Sequence, residues 1–176
     1  GSPAFDSSVS CTLARNGDLV QEIYLKMDLT LDKLGQTNGE PYKIYDVTSL
    51  IKTVEVEIGG QKIDKHYSEW LDIYNELFET SHDYRMMMST GSQVDAATNT
   101  FTCYLPLRFW FNRNPGLALP LIALQYHEVK INMTLDPVNV AGTKDCKISD
   151  AKLLVNYLYL DTDERRRFAQ VSHEYL

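Results

Sequence analysis

The chain has 176 residues and is 44% hydrophobic, which suits a single folded domain with its own core and excludes an intrinsically disordered segment. Its formal net charge of −7, from 24 acidic and 17 basic residues, argues against a surface dedicated to nucleic acid, because phosphate binding needs clustered lysine and arginine. No apolar run reaches about 18 residues, so a membrane-spanning helix and direct membrane insertion are not expected.

The N-terminal segment predicts two strands joined by a turn. Residues 1–8 (GSPAFDSS) have neither the basic segment nor the apolar core of a signal peptide, and we expect a short N-terminal remnant before a domain at residues 9–176. Alternating apolar residues from Ile23 to Leu31 predict a half-buried antiparallel strand. The sequence RNGD at residues 15–18 is a turn signal, because Asn-Gly readily takes positive φ, and it joins this strand to one near residues 9–14.

The middle of the chain predicts a hairpin followed by a helix. Apolar residues alternate with glutamate from Val54 to Ile58, Gly59-Gly60 breaks the run, and residues 61–63 resume it, which is typical of a tight glycine hairpin. A helix is predicted over residues 68–79, with Ser68 as its N-cap. The helical face that we expect to cover an open end or edge of a sheet consists of Trp70, Ile73, Tyr74 and Leu77.

The C-terminal half returns to strands. After a small, polar segment at residues 89–99, which predicts an exposed loop, strand character resumes at residues 101–110 and 129–135. Residues 148–160 are apolar on both faces and predict a central strand that is covered on both sides. The pattern of about seven or eight strands, with one or two helices in loops, predicts an all-β antiparallel sandwich of Greek-key or jelly-roll type.

One stretch, NRNPGLALPLIALQYHEVKI at residues 112–131, does not fit a single element. It has no charged side chain between its first proline and its tyrosine, yet two prolines interrupt it. We interpret Asn114-Pro115-Gly116 as a turn, residues 117–123 as an apolar connector and Gln125 as the entry to a strand. Periodicity alone indicates only that the apolar side chains are buried.

No motif has the spacing of a catalytic or metal-binding site. The cysteines, Cys11, Cys103 and Cys146, form no CxxC pair, and we interpret them as buried free thiols of a reducing compartment. None of the four histidines pairs with another at the spacing of metal ligands. We therefore expect no metal, no cofactor and no enzymatic activity.

Three charged or aromatic clusters are interpreted as structural rather than as functional sites. Glu69, Asp72 and Glu76 could supply paired carboxylates, but we interpret them as the solvated face of the predicted helix. The arginine run at residues 165–167 is flanked by acidic residues and is interpreted as a solvated, self-paired cluster. The aromatic run at residues 109–111 is interpreted as core and loop packing rather than a ligand platform. These interpretations favour a structural or binding role.

Four stretches together resemble the major capsid protein of nucleocytoplasmic large DNA viruses. They are ARNGDL at residues 14–19, VEVEIGGQKIDKHYSEWLDIYNEL at 54–77, LPLRFWFNRNPGLALPLIALQYHEVKI at 105–131 and DTDERRRFAQVSHEYL at 161–176. They occur in the family's order and span nearly the whole chain, so their joint match is more specific than any short catalytic motif. The resemblance implies an eight-stranded jelly roll, the first of the family's two in tandem.

The resemblance also implies a structural role in the virion. In this family three copies form a trimeric, pseudo-hexagonal capsomer, and capsomers tile an icosahedral shell. The implied partners are therefore further copies of the chain, in a homotrimer and in neighbouring capsomers, together with minor capsid proteins. The implied location is the capsid shell, after assembly in the host cytoplasm.

We hypothesise that apolar side chains in irregular regions contact the second roll or a neighbouring subunit. The candidates are Asn114, Pro115, Leu117, Leu119, Pro120, Trp70 and Tyr74. The alternative function is a carbohydrate-binding, lectin-like β-sandwich, which needs an exposed aromatic platform. A hydrolase that uses Glu69 or Asp72 is a third hypothesis.

Overall fold

A computed structural model describes residue 4 and residues 7–31, 48–78, 100–135 and 146–170. In this part of the chain, eight strands form two antiparallel sheets of four strands each. The strands are β1 (Ser8–Thr12), β2 (Leu19–Leu31), β3 (Ile51–Ile58), β4 (Gln61–Tyr67), β5 (Thr100–Pro106), β6 (Leu119–Pro120), β7 (Val129–Leu135) and β8 (Cys146–Leu158). The helices are α1 (Ser68–Phe78), α2 (Trp110–Arg113) and α3 (Thr162–Gln170), with 3-10 turns at Thr48–Leu50 and Pro115–Leu117.

Each sheet combines early and late parts of the chain. The first sheet has the strand order β1-β7-β3-β4. In the second sheet β2 is central, and it pairs with β5, β6 and β8. Leu19 pairs with both Pro120 and Leu158, so β6 and β8 lie on opposite edges of β2. Residues 24–30 of β2 likewise pair with β5 on one edge and β8 on the other.

The core lies between the two sheets, as the alternating apolar pattern predicts. The buried residues of β7 are Val129, Ile131, Met133 and Leu135, and those of β2 include Ile23, Leu25, Met27 and Leu29. Both rows belong to one hydrophobic cluster. Burial of one such side chain stabilises the fold by about 1.5–3 kcal/mol relative to exposure. The predicted all-β antiparallel jelly roll is confirmed.

The predicted glycine hairpin is also confirmed, and it positions α1. Gly59 and Gly60 have φ angles of 58° and 85°, in the left-handed region that glycine enters without a steric penalty. A Cβ at Gly59 would lie 2.7 Å from Nδ1 of His127, so a side chain here would also have to displace the exposed imidazole of His127. Because β4 ends at Tyr67 and α1 begins at Ser68, the hairpin carries the helix without an intervening loop.

The RNGD segment connects β1 to β2, but it is not a hairpin turn. β1 pairs with β7 in the first sheet, whereas β2 belongs to the second, so the segment crosses between sheets. Gly17 does not have a positive φ. Instead, a Cβ at Gly17 would lie 2.5 Å from the Cβ of Tyr157. At Gly17 the prediction of a positive φ was wrong, because a tertiary contact, rather than a turn type, requires this glycine.

The prediction that residues 148–160 form a central strand covered on both sides was also wrong. They do form most of a strand, β8, but among the described residues β8 pairs only with β2 and is an edge strand. Its side chains alternate between half-buried and exposed, and Leu154 is 42% exposed. The segment has apolar residues on both faces, but only the face with Leu153, Val155 and Tyr157 packs against the core.

The described residues contain three α-helices, of which only α1 was predicted: the strand expected over residues 101–110 ends at Pro106, α2 begins at Trp110, and α3 follows β8. The arginine run lies in α3, and its pairing differs from the prediction. Nε and Nη2 of Arg165 each lie 2.9 Å from Oδ2 of Asp18, and the backbone N–H of Leu160 donates to the same oxygen at 2.8 Å. Oδ1 of Asp161 accepts the N–H of Glu164 at 2.8 Å, which is the geometry of an N-cap. The flanking acidic residues therefore cap the helix, and Arg165 ties it to the β1–β2 connection.

Candidate interaction surface

Helix α1 lies on the roll through a narrower face than its periodicity indicates. Only Leu71 is fully buried, at 1% exposed, whereas Ile73 and Leu77 are 52% and 67% exposed. The side chain of Asp72 accepts a hydrogen bond from the hydroxyl of Thr48, which joins the helix to the preceding 3-10 turn. The expectation that Ile73 and Leu77 help to cover the sheet was wrong. The apolar arc of the helix is wider than the surface that the roll offers to it.

The start of α1 also differs from the prediction, in which Ser68 was the N-cap that precedes the helix. Ser68 is the first residue of the helix, and its hydroxyl lies 3.3 Å from Oε2 of Glu69. Glu69 occupies the first turn, where a carboxylate interacts favourably with the helix dipole. The start of α1 therefore depends on its direct continuation from β4 and on an acidic first turn.

An aromatic row runs along α1, and cationic side chains lie over it. The ring centroids of Trp70 and Tyr74 are 6.0 Å apart, and those of Tyr74 and Phe78 are 4.8 Å apart. The guanidinium carbon of Arg113 lies 5.3 Å from the Trp70 ring and 5.9 Å from the Tyr74 ring, while that of Arg108 lies 4.9 Å from the Tyr74 ring. Cation–π contacts of this kind contribute about 0.5–1 kcal/mol each at exposed sites. They attach α1 to the segment around α2.

A buried histidine lies beneath this row. The imidazole of His66 stacks on Phe109, with ring centroids 4.7 Å apart, and its Nε2 lies 3.2 Å from Oδ2 of Asp64. Burial lowers the pKa of His66, and the positive charge of Arg113 lowers it further, although Asp64 opposes both effects. The imidazole is therefore held neutral near pH 7. It is a structural histidine, which agrees with the absence of metal-ligand spacing.

The turn after α2 is exposed, whereas β6, within the connector that follows it, is buried. Oδ1 of Asn114 accepts the N–H of Gly116 at 2.8 Å, which confirms the predicted turn. Asn114 and Pro115 are exposed, and Leu117 is 53% exposed. β6 lies inside the roll, where its two residues are buried and pair with Leu19 and Val20 of β2.

The candidate contact residues therefore divide into two groups. Asn114, Pro115 and Leu117 lie at the surface, and Trp70 and Tyr74 are half-buried close to Arg113, the residue that precedes Asn114. These five candidates form two adjacent parts of one region. Leu119 and Pro120 are buried within the roll and offer no surface to a neighbour.

Sequence reasoning missed the residue that holds the connector in place. The Arg15 guanidinium donates to three backbone carbonyls in and just after the connector: Nη1 to Leu121 at 3.0 Å, and Nη2 to Leu124 at 2.5 Å and to His127 at 2.7 Å. The carbonyls of Leu121 and Leu124 also accept the backbone N–H groups of Leu124 and His127, so the charge-assisted bonds from Arg15 add to the turns of this irregular segment and tie them to the β1–β2 connection. No local signal in the sequence could have shown this contact, because Arg15 and the connector lie more than 100 residues apart.

The other hypotheses for chemistry find no geometry to support them. Among the described residues, no group of three or more histidine, cysteine, aspartate and glutamate side chains could hold a metal ion. No helix in the described ranges is long and apolar enough to cross a membrane. Phe109 and Phe111 are fully buried, so they cannot form the exposed platform that carbohydrate binding needs. Glu69 and Glu76 are exposed, as expected for a solvated helical face, whereas Asp72 is exposed but its side chain also accepts the hydroxyl of the buried Thr48.

The sequence matches known capsid proteins over its whole length. The family model "Major capsid protein N-terminus" matches residues 1–161. The major capsid protein of Pyramimonas orientalis virus is 52% identical over 187 residues, which cover 100% of this chain and 46% of that protein. The major capsid protein of Paramecium bursaria Chlorella virus 1 is 44% identical over 190 residues, which cover 100% of this chain and 41% of that protein.

Solved structures give the same result for the fold. The crystal structure of PBCV-1 VP54, fitted into a reconstruction of the virophage Sputnik, has a TM-score of 0.80 at 40% identity and covers 99% of this chain and 43% of that chain. The Faustovirus major capsid protein shares the fold, with a TM-score of 0.67 at 10% identity. The chain spans less than half the length of these curated relatives. It belongs to the major capsid protein family of large DNA viruses and corresponds to the N-terminal jelly roll of that family.

Proposed function

We propose that the protein is a structural subunit of an icosahedral virus shell, and that residues 9–176 form the first of its two jelly rolls. The family match over residues 1–161 carries this proposal. It is supported by the similarity to the PBCV-1 virus capsid, which has a TM-score of 0.75 at 40% identity. A structural subunit needs rigid faces for its neighbours rather than a reaction pocket or a cofactor, and the rigid sandwich core suits that role.

The proposal includes how the subunits associate. Three copies of the full-length protein form a capsomer, which contacts further capsomers and minor capsid proteins after assembly in the host cytoplasm. The contact residues proposed here are Asn114, Pro115, Leu117, Trp70 and Tyr74. The exposure of Pro115 and Leu117 and the half-buried aromatic rings of Trp70 and Tyr74 support this assignment, because apolar and aromatic side chains at a surface commonly mark protein contacts.

The mass of the purified full-length protein in solution tests this proposal. We expect light scattering to give a mass of three subunits at micromolar concentration, and electron microscopy to show pseudo-hexagonal particles. In the same assay, Leu117→Glu should weaken the trimer, because it places a charge at a partly exposed apolar position. Tyr126→Glu is the matched control, since Tyr126 is 88% exposed. A full-length protein that stays monomeric at all concentrations would contradict the proposal.

A further inference from the structure

Asp18 is an acidic residue that is only 9% exposed, and its backbone joins three parts of the chain. It immediately precedes β2. Its N–H donates to the carbonyl of Leu158, the last residue of β8, at 3.0 Å, and its carbonyl accepts the N–H of Ile122, in the connector, at 3.2 Å. The backbone of Asp18 is therefore fixed from two sides, so its side chain extends from a rigid point of the roll.

The carboxylate of Asp18 binds the segment that follows β8 through one oxygen. The backbone N–H of Leu160 donates to Oδ2 at 2.8 Å, and Nε and Nη2 of Arg165 each lie 2.9 Å from the same oxygen. Hydrogen bonds between a guanidinium and a carboxylate are roughly twice as strong as neutral ones. Leu160 precedes Asp161, the N-cap of α3, and Arg165 is the fourth residue of the helix. The carboxylate therefore holds both the entry to α3 and the helix itself.

Helix α3 has little apolar attachment to the roll. Within the described range Thr162–Gln170 it has no buried residue, and Phe168 is its one half-buried side chain. A helix this short is marginal in water, and helices in folded proteins usually depend on a buried apolar face. The position of α3 therefore depends more on the contact between Arg165 and Asp18 than on packing.

This helix lies at the boundary of the N-terminal roll. The family model of the capsid protein N-terminus matches residues 1–161, so the match ends at the N-cap of α3. The chain covers 46% and 41% of the two curated relatives described above, which are therefore more than twice as long. Under the proposed function, α3 is the first element on the path from the first roll to the second.

We propose that Asp18 is a positioning residue that sets the direction in which the chain leaves the first roll, and thereby the orientation of the second roll. The inference rests on the proposed function, because that function supplies the second roll. In a pseudo-hexagonal particle of three subunits, the two rolls of each subunit take similar positions around one axis, so they need one fixed relative orientation. A helix of nine residues is about 14 Å long and rigid, so a contact in its first turns determines where its far end lies.

Hydrogen exchange in the full-length protein tests whether this contact holds α3. Arg165→Met removes the guanidinium and changes no residue that the family model matches, and Asp18→Asn removes the charge of the other partner. In both variants the backbone amides of α3 should exchange about tenfold faster than in the parent, while those of β7 stay protected. Arg166→Met is the matched control, because Arg166 is exposed. Exchange of α3 at the parent rate in Arg165→Met would overturn the proposal.

Distances between two spin labels measure the direction of α3 itself. One label replaces Tyr126, which is 88% exposed on the roll, and the other replaces the exposed Gln170 at the end of α3. Dilution with unlabelled full-length protein leaves one labelled subunit in each particle. The parent and Arg166→Met should give one narrow distance distribution, and Arg165→Met should broaden it, because α3 then swings about the end of β8. A contact that only stabilised the fold would leave the width unchanged, and that result would refute a positioning role.

The mass of the same variants separates this inference from the proposed function. If α3 orients the second roll, Arg165→Met should lower the association constant of the trimer about tenfold or more, because the subunit must then be ordered as the trimer forms. Circular dichroism checks that the rolls remain folded. A variant trimer as stable as that of the parent refutes this inference alone, whereas a parent that forms no trimer refutes the proposed function.

Discussion

Substitution of Gly17 by alanine should destabilise the roll, because Tyr157 occupies the space that a side chain needs. The new Cβ would lie 2.5 Å from Cβ, 3.1 Å from Cγ and 3.2 Å from Cδ1 of Tyr157. Tyr157 cannot easily move away, because β8 pairs with β2 at this residue and its hydroxyl donates to the carbonyl of Ala14 at 2.6 Å. Overpacking of this kind costs about 1–3 kcal/mol, and alanine returns about 0.4–1 kcal/mol by restricting the unfolded chain.

The net loss of about 1–2 kcal/mol corresponds to a fall in Tm of about 2–8 °C for a domain of this size. Urea unfolding followed by circular dichroism and a thermal melt measure these two values. Gly116→Ala is the matched control, because its nearest contact would be Oδ1 of Asn114 at 3.4 Å, an ordinary distance, and its φ is not positive. If Gly17→Ala proves as stable as Gly116→Ala, the close approach of Tyr157 does not explain the glycine.

Three further predictions concern α3, His66 and α1. Arg165→Met should lower the free energy of unfolding, measured by urea titration, by about 1–3 kcal/mol, because it removes charge-assisted bonds to the nearly buried Asp18. Arg166 is exposed, so the control Arg166→Met should change the same free energy by less than about 0.5 kcal/mol. The free energy of unfolding should be constant above about pH 6.5 and fall below it, because burial lowers the pKa of His66 in the fold while the unfolded chain takes up its proton near 6.5. Urea titrations between pH 5 and pH 8 measure this dependence, and His66→Gln should flatten it. An unchanged slope in the variant would show that His66 is not the group responsible. Leu71→Ala should lower the free energy of unfolding by about 2–5 kcal/mol, since the side chain is 1% exposed. Leu77 is 67% exposed, so Leu77→Ala should lower it by less than about 1 kcal/mol. Equal losses in the two variants would show that α1 packs through a different face.

The architecture could be predicted because alternation along a strand depends only on which face is buried. Residues 129–135 show this directly, since every second side chain is buried in the structure. The glycine hairpin could be predicted as well, because its two positive φ angles require residue types that are visible in the sequence. In both cases the physical cause lies within a few residues of its effect.

The features that could not be predicted depend on contacts between distant residues. β8 has the composition of a covered strand, but its place at the sheet edge is decided by which strands pair with β2. The helical periodicity of α1 shows where apolar residues lie, but it cannot show how much of that face the roll covers. Of the seven candidate contact residues, Leu119 and Pro120 lie in the interior because β6 pairs with β2, a contact that no local pattern reveals.

The position of β2 between late strands has a consequence for synthesis of the protein. β1 and β2 are made first, yet they pair with β5, β6, β7 and β8, and bonds such as that between Tyr157 and Ala14 join residues that are 143 positions apart. At about 5–20 residues per second, a ribosome needs roughly 7–30 s to make that intervening stretch. During this time the apolar face of β2 has no native partner strand, so the nascent chain is exposed to misassociation with its neighbours on the polysome. The second sheet can therefore be completed only after β8, the last of these strands, has emerged from the ribosome.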